Sequence, residues 1–289
     1  MSMSKKAVVT GGAGFIGTHL CEALRKEGYE VVSVDIKTGD DVRDTKKMQT
    51  LFAGAEFVFH LAALPRVQYS IEHPQETHDT NVNGTLSVLL AAKEAGVKKV
   101  IYSASSSAYG DQTVMPLTED METHPISPYA LQKYTGELYC RLWSEVYGLK
   151  AVSLRYFNVY GPGASAEGAY ALVIAKFLQQ RTEGKPLTIT GDGTQTRDFT
   201  HVRDVVRANL LAAQSAVCKG EVINIGAGKN DSVNTIAELI GGPVEHVAAR
   251  LEPHDTLADN TLAKKLLGWE PHVTLQQGIA ELKKLANIA

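Results

Sequence analysis

The sequence predicts an α/β fold in which a doubly wound parallel sheet carries a smaller C-terminal α/β lobe. Short β-branched runs alternate with helical patterns through the first half of the chain, a rhythm typical of parallel sheets with helical crossovers. A glycine-rich turn follows the first run, and the rhythm changes after about Val159. With 289 residues, 44% of them hydrophobic, the chain can bury one full core and an attached lobe.

Five β-branched runs supply the strands of the predicted sheet, at 7–9, 31–34, 57–59, 100–102 and 152–154. Between the first two, Ile16, Leu20 and Leu24 recur every four residues, which predicts a helix with one apolar face against the sheet. The stretch 83–96 repeats this pattern, and 129–146 is a further helix candidate. Ligands of such sheets gather where the strands end.

The later part of the chain predicts a second lobe. Glycine-rich turns at 161–163 and 191–193 flank one helix candidate at 170–180. A strand at 221–225 indicates a return to the sheet, and an amphipathic helix is expected at 275–285. The sheet domain therefore comprises 1–160 joined by 200–226, and the second lobe comprises 161–199 and 227–289.

The overall charge argues against a polyanionic partner. The chain has 29 Lys and Arg against 32 Asp and Glu, without a long block of either sign, so we expect neither nucleic-acid nor membrane binding. Cys21, Cys140 and Cys218 lie far apart without CxxC spacing, which favours the cytoplasm and no metal site. The longest apolar run, 169–175, is far shorter than the roughly 20 residues of a spanning helix.

The segment TGGAGFIG joins the first strand to the first helix and predicts a dinucleotide-phosphate turn. Gly11, Gly14 and Gly17 allow a tight turn, a close approach of pyrophosphate, and close helix packing. Asp35 ends the second strand, where a carboxylate accepts hydrogen bonds from ribose hydroxyls and repels a 2′-phosphate. NAD is thus favoured over NADP, although Lys37 is a cation nearby. The alternative is a turn whose glycines serve packing alone.

Tyr129 and Lys133 lie four residues apart on a predicted helix and share a face. An ammonium beside a phenol favours the phenolate, which could take a proton from a hydroxyl. The serine run at 103–110 follows the fourth strand, so its hydroxyls should lie at the ligand-binding edge of the sheet. The alternatives are a solvated helix face and a serine-rich loop that caps local backbone.

The chain resembles the extended short-chain dehydrogenase/reductase family, and within it the nucleotide-sugar 4-epimerases. Nine segments in family order carry the resemblance: TGGAGFIG, HLAA, NVNGT, SASSSAYG, YALQK, LRYFNVYGP, RDFTHVRD, NIGAG and LGWEP. The resemblance covers nearly the whole chain. It implies a Rossmann fold that binds NAD and a C-terminal lobe that binds substrate.

The resemblance also implies roles for individual residues. Those along the cofactor phosphates are Gly11, Gly14, Phe15 and Ile16. Those at the adenosine are Asp35, Asp41 and Val42, and those along the rest of the cofactor are Leu61, Ala62, Ala63, Tyr129, Lys133 and Tyr156. The implied catalytic residues are Ser105, Tyr129 and Lys133. Those facing the substrate are Ser105, Ser106, Tyr129, Asn158, Arg197 and Arg250.

The sequence departs from the family pattern in two places. Only residues 36–40 separate Asp35 from Asp41, fewer than in most relatives. The family's Arg-x-Gly-Glu/Asp run is present as Arg250-Leu251-Glu252, without the glycine. The assignments of the adenine pocket and of Arg250 are therefore the ones most affected.

The implied reaction is inversion at the sugar C4 through transient oxidation by NAD. Related dehydratases carry an Asp-Glu pair after the catalytic serine or threonine, and related decarboxylases usually carry a Glu near there. This chain has Ser106 and Ser107 at those positions, which disfavours elimination. A C4 reductase remains open, and a catalytically silent NAD-binding protein is disfavoured by the intact Ser105, Tyr129 and Lys133.

The sequence leaves the sugar open. The segments SSSAYGD, SPYALQKYTGELY and GAYA are similar to the branch that acts on UDP-N-acetylhexosamines, alongside UDP-glucose and UDP-galactose, while UDP-glucuronate relatives share much of the scaffold. The resemblance also implies a homodimer formed through the helices at 83–96 and 129–146. No role is assigned to His60, His78 or His201, because such histidines more often cap or pack.

Overall fold

The computed structural model describes residues 5–166, 172–248 and 254–288. Its strands are β1 (Lys6–Thr10), β2 (Glu30–Val34), β3 (Ala55–His60), β4 (Lys99–Ser105), β5 (Ala151–Tyr156), β6 (Val159–Tyr160), β7 (Leu187–Thr190), β8 (Thr196–Asp198), β9 (Thr200–His201), β10 (Lys219–Ile225), β11 (Asn230–Ser232) and β12 (Val244–Val247). Its helices are α1 (Phe15–Lys26), α2 (Thr45–Phe52), α3 (Val67–Glu72), α4 (Pro74–His78), α5 (Gly84–Glu94), α6 (Pro128–Tyr147), α7 (Val173–Thr182), α8 (Val202–Gln214), α9 (Val233–Ile240), α10 (Thr261–Leu267) and α11 (Leu275–Leu285).

Six parallel strands form the central sheet in the order β10-β5-β4-β3-β1-β2, which confirms the predicted α/β class. Neighbouring residues of a strand point to opposite faces. Ala7 and Val9 accordingly pack toward α1 and α8, whereas Val8 packs toward α2, α5 and α6. The winding direction reverses between β1 and β3, so the carboxyl ends of these two strands form the crevice where a ligand is expected.

The later part of the chain builds a second core from small elements. Helices α7, α9 and α11 pack around Phe177 and Ile236, with Leu187 of β7 beside them. Two-stranded ladders join β7 to β12 and β8 to β11. Strand β10 lies in the central sheet beside β5, as expected from the return at 221–225.

The structure adjusts the predicted helix limits in two places. The candidate at 170–180 begins as a helix at Val173, because Leu172 is extended (φ −60°, ψ 132°) and serves as the N-cap. The stretch 83–96 is helical from Gly84 to Glu94 and is preceded by a π-helical turn, Asp79–Asn83. Among the described residues, no helix is both long and apolar enough to cross a membrane.

Candidate active site

The turn between β1 and α1 leaves room for a phosphate group. Gly11 has a positive φ of 70°, and a Cβ there would lie 2.7 Å from the backbone nitrogen of Ala62. Gly14 is the N-cap of α1 and offers no side chain to cap it, and Phe15 and Ile16 follow as the first helical residues. The first-turn amides and the positive end of the helix can therefore receive an anion, which fits the pyrophosphate of NAD.

Asp35 lies at the end of β2 with its carboxylate turned toward this same loop. Oδ2 accepts from the Ala13 amide at 3.0 Å, and Oδ1 accepts from the Lys37 amide at 2.9 Å. Each carboxylate oxygen keeps a further lone pair, so Asp35 retains acceptors for ribose hydroxyls. The Lys37 ammonium lies 3.5 Å from the Ala13 carbonyl oxygen, at the edge of the same loop.

Some of the residues assigned to the adenine and to the rest of the cofactor lie at the surface, and others lie in the core. Asp41 is committed to an ion pair with Arg43 at 2.6 Å, while the side chain of Val42 is buried in the core beside α5. Residues 61–63 follow β3 and are half-buried. The amide of Ala62 donates to Thr10 Oγ1 at 3.3 Å, so this segment forms the second wall of the crevice.

The serine, tyrosine and lysine predicted to be catalytic converge at the end of β4. Ser127 caps α6 by accepting from the Ala130 amide, and Pro128 occupies the first turn, which places Tyr129 at the start of the helix. The Tyr129 phenol hydrogen-bonds to Ser105. One turn later, Lys133 is buried with its ammonium 4.7 Å from the ring centre of Tyr102.

Ser107, which the resemblance did not single out, orients Ser105. Its amide and its hydroxyl both donate to Ser105 Oγ, at 3.2 and 2.8 Å. These two bonds use both acceptor positions of a hydroxyl, so the Ser105 proton remains to be donated toward Tyr129 or a substrate oxygen. Ser106 is half-buried in the same short 3-10 turn, Ser106–Tyr109. The serine run at 103–110 indicated this region, but the spacing of its serines could not show that Ser107 orients Ser105.

The protein environment does not by itself ionise the tyrosine. Burial raises the pKa of the Tyr129 phenol, and only the hydrogen bond from Ser105 opposes that effect. Burial lowers the pKa of Lys133 to about 8, against the raising effects of Glu137 and Cys140. A phenolate at neutral pH therefore needs the ammonium of Lys133 and the positive charge of the nicotinamide of a bound NAD together.

A buried hydrogen-bond chain joins the end of β1 to α6 through His60. Thr85 Oγ1 donates to the Asn81 carbonyl at 2.6 Å, so His60 Nε2 must donate to Thr85 and His60 Nδ1 must accept from Thr10. Asn81 Nδ2 then donates to Gln132 Oε1 at 2.8 Å, on the helix of Tyr129. Burial lowers the pKa of His60 to about 3, which keeps the ring neutral. His60 is thus a packed, oriented histidine.

Tyr156 is the last residue of β5, and Asn158 and Arg197, both assigned to substrate, contact the segment 254–256. The Tyr156 hydroxyl donates to Asn209 Oδ1 at 2.9 Å and is buried in the core. Asn158 has a positive φ of 23° and donates to Thr256 Oγ1 at 3.3 Å. Arg197 donates to the carbonyl of His254 at 2.9 Å. The predicted phosphate ligand Arg250 lies outside the described residues.

Asp198, which the sequence reasoning missed, joins two segments of the later part of the chain beside Arg197. Its carboxylate accepts from the amides of Ala227 at 2.6 Å, Gly228 at 2.9 Å and Ala258 at 3.1 Å. The side chain is fully buried. It therefore holds the loop after β10 against the segment that contains Ala258. The RDFTHVRD segment signalled the region but not this role.

A comparison with known protein families shows the family of this chain. The model of the NAD dependent epimerase/dehydratase family matches residues 7–226. The chain belongs to this family. Every residue predicted to be catalytic or to contact NAD lies within the matched range.

Similar proteins of this family act on different sugars. The UDP-glucuronate 4-epimerase of Thermodesulfobacterium geofontis is 36% identical over 97% of this chain and 94% of its own length. The UDP-glucose 4-epimerase of Thermotoga maritima, solved with UDP-glucose, is 37% identical with a TM-score of 0.91, over 98% and 99% of the two chains. The UDP-N-acetylglucosamine 4-epimerase of Methanobrevibacter ruminantium, in complex with UDP-N-acetylmuramic acid, is 34% identical with a TM-score of 0.92, over 97% of each chain. Overall identity therefore does not name the sugar.

We expect the activity of this epimerase/dehydratase family member to fall as the pH rises through about 8. Burial lowers the pKa of Lys133 to that value, and the ammonium is present only below it. The measurement is kcat/KM against pH, with circular dichroism to monitor folding. In Lys133→Arg the cation persists, so the remaining activity should lack this alkaline fall.

The matched control is Lys99, a second buried lysine whose ammonium donates to the carbonyls of Ala212 and Ser215 far from the crevice. Lys99→Arg should keep the alkaline fall in place. An alkaline fall that persists unchanged in Lys133→Arg would contradict the assignment.

Proposed function

We propose that this chain is a UDP-sugar 4-epimerase that uses bound NAD. The observation that carries the proposal is the hydrogen bond between Tyr129 and Ser105 at the edge of the crevice, with the buried Lys133 one turn away. Residues 1–160 with 200–226 would bind NAD, and residues 161–199 with 227–289 would bind the sugar nucleotide. The walls of the crevice, Gly11 to Gly14 and Leu61 to Ala63, support this division.

The proposed NAD site comprises Gly11, Gly14, Phe15, Ile16, Asp35, Asp41, Val42, Leu61, Ala62, Ala63, Tyr129, Lys133 and Tyr156. The proposed substrate residues are Ser105, Ser106, Tyr129, Asn158, Arg197 and Arg250. An amide and guanidinium groups suit a nucleotide diphosphate, because they donate hydrogen bonds to phosphate oxygens.

NAD, held by the glycine turn, Asp35 and residues 61–63, would supply a reversible hydride acceptor for the sugar C4, and return of the hydride to the opposite face would invert that carbon. Tyr129, as phenolate, takes the proton of the 4-hydroxyl and later gives it back. Ser105 donates a hydrogen bond to the C4 oxygen and stabilises the charge that develops there. Lys133 holds the phenolate ionised. These roles consume no external oxidant, because the hydride returns in each cycle.

Ser106 and Ser107 support epimerisation over elimination. A dehydratase needs carboxyl groups near the catalytic hydroxyl, whereas the Ser107 hydroxyl is committed to Ser105 Oγ at 2.8 Å. UDP-glucose with UDP-galactose, and UDP-GlcNAc with UDP-GalNAc, are the proposed substrate pairs. UDP-glucuronate is the second candidate, because a UDP-glucuronate 4-epimerase is 36% identical to this chain.

The test is to incubate the purified protein separately with UDP-glucose, UDP-galactose, UDP-GlcNAc, UDP-GalNAc and UDP-glucuronate, without added cofactor, and to follow the anomeric protons by NMR. Interconversion within one pair would establish the epimerase and name the sugar. If no pair interconverts, even after NAD is added, the proposal is wrong, and reduction and dehydration become the reactions to test.

We further propose a cytoplasmic homodimer. The free cysteines support the location, because Cys21 and Cys140 are buried and unbridged. An exposed apolar stripe supports the dimer, since large apolar patches on a surface mark contacts. The stripe consists of residues of α6 spaced by seven and four positions: Leu131, Leu138, Leu142 and Val146. Leu90 of α5 is exposed as well.

Leu138→Glu combined with Leu142→Glu should convert the dimer to monomer, because two charges would be buried in the contact. The measurement is sedimentation equilibrium. The control is Leu285→Glu on α11, which is 63% exposed and lies outside the stripe. A parent protein that sediments as a monomer would rule out the dimer.

A further inference from the structure

Tyr102 of β4 contacts Lys133 at both ends of the lysine. The ammonium of Lys133 lies over the ring of Tyr102, 4.7 Å from the ring centre. The hydroxyl of Tyr102 donates to the backbone carbonyl oxygen of Lys133 at 3.3 Å. The exposed fractions of the two residues are 1% and 3%, so water has almost no access to this contact. One buried side chain therefore fixes both the backbone and the charged group of the lysine.

The ring of Tyr102 is itself held in a fixed position by β3 and α6. Helix α6 has a glycine where it passes the ring, and a Cβ at Gly136 would collide with the hydroxyl oxygen of Tyr102. The ring of His60 on β3 lies 5.7 Å from that of Tyr102, centre to centre. Both nitrogens of His60 are hydrogen-bonded, to Thr10 and Thr85, so this neighbour cannot turn freely. The ring of Tyr102 is thus a rigid surface for the ammonium.

An aromatic face can replace part of the hydration that a buried cation loses. The face of the ring is electron-rich and attracts a cation, and the attraction is stronger where water is excluded. Burial lowers the pKa of Lys133 to about 8, because a charged ammonium is costly without water. The ring of Tyr102 acts in the opposite direction, since it stabilises only the charged form of the lysine.

The charged groups around Lys133 lie on α6, on β5 and in the loop before α6. Glu137 favours the charged lysine, and its carboxylate accepts from the guanidinium of Arg155 at 2.7 Å. Beyond this pair, Glu119 and Arg155 attract each other, and Arg141 acts on Glu137 from the surface. None of these groups is altered by a substitution of Tyr102.

The uncharged titratable groups around Lys133 lie on β3 and α6. Burial lowers the pKa of His60 to about 3. Burial raises the pKa of Cys140 to about 12, and it also raises the pKa of the Tyr129 phenol. Before Tyr129 ionises, the ring of Tyr102 therefore acts on the ammonium together with a single nearby anion, Glu137.

We propose that Tyr102 is a positioning residue of the catalytic site, whose ring holds the ammonium of Lys133 in place and keeps it charged without water. This proposal rests on the proposed function, in which the charge of Lys133 allows Tyr129 to act as the base. Tyr102 acts through Lys133 and is not required to touch the substrate.

Three substitutions separate the electron-rich face of the ring from its volume. Tyr102→Phe keeps the face, so the alkaline fall of kcat/KM should stay at the pH of the parent. Tyr102→trifluorophenylalanine keeps the size of the ring but weakens the attraction of its face, so the fall should move to lower pH. Tyr102→Leu removes the ring and should move the fall by about one pH unit, the pKa change that corresponds to a desolvated cation–π contact.

The acid side of the same profile is an internal reference. Lys133 is fully charged there in every variant, so the acid limb should stay in place. Tyr147→Leu is the matched control, because the ammonium of Lys93 lies over the ring of Tyr147 at 5.2 Å, in an exposed pair at the end of α6. Its profile should coincide with that of the parent.

NMR of NAD-loaded protein with lysine isotope-labelled at the ε-carbon tests the contact without turnover. The signal absent from Lys133→Arg is that of Lys133. Its ε-protons should be shifted upfield in the parent and in Tyr102→Phe, because they lie over the face of a ring. The pH dependence of the same signal reports the charge of the ammonium, so this measurement still decides the proposal if no UDP-sugar interconverts.

The expected result is an upfield signal in the parent and a titration that moves to lower pH in the order Phe, trifluorophenylalanine, Leu. Titrations that stay in place in the last two variants would show that Tyr102 serves packing alone. A move to higher pH would mean that water replaces the ring, and it would overturn the proposal as well. A parent signal without an upfield shift would also overturn it, even if Tyr102→Leu does not fold.

Discussion

Tyr129→Phe is expected to lower kcat for sugar interconversion by about 10²- to 10⁴-fold, the typical contribution of a positioned acid-base group. The substitution removes the hydroxyl that hydrogen-bonds to Ser105 and leaves the ring in place. No other group is assigned to take the proton of the 4-hydroxyl. The loss should therefore appear in kcat, with a much smaller change in KM.

The measurement is NMR of the anomeric protons at saturating substrate, together with the NAD content of the purified variant. Tyr139→Phe is the matched control on the same helix, because the ring of Tyr139 packs against Trp143 at 5.5 Å, far from the crevice. Its rate should stay at the parent value. Undiminished turnover in Tyr129→Phe would show that another residue is the base.

Asp198→Ala is expected to lower the free energy of unfolding by about 3 kcal/mol or more. The substitution leaves the amides of Ala227, Gly228 and Ala258 buried without their acceptor, and each such loss costs about 1–3 kcal/mol. At about 2–4 °C per kcal/mol for a chain of this size, Tm should fall by about 6–12 °C.

Thermal and urea unfolding of the NAD-loaded protein measure this change. Asp192→Ala is the control, because Asp192 is exposed and its carboxylate accepts from Thr194 in its own turn. That variant should unfold within about 0.5 kcal/mol of the parent. A loss below about 1 kcal/mol in Asp198→Ala would mean that this carboxylate does not hold the loop after β10 against the segment that contains Ala258.

Local patterns predicted the sheet and its first crossover well. The runs at 7–9, 31–34 and 57–59 lie within strands β1, β2 and β3. Each run can be recognised from apolar residues one or two positions apart, because the pattern of a strand repeats every two residues. The short strands of the second lobe could not be predicted from the sequence. Strands β8 and β11 have three residues each, which is too short to show a periodic pattern.

The sequence by itself determined the α/β class, the glycine turn, and the spacing of Tyr129 and Lys133, because each of these depends on residues a few positions apart. Only the tertiary structure decided which polar groups meet in the interior. Glu137 and Arg155 are 18 residues apart, Thr10 and His60 are 50 apart, and Asp198 and Ala258 are 60 apart. A buried polar group must find a hydrogen-bond partner, but the partner is chosen by the packing of strands and helices and not by sequence spacing.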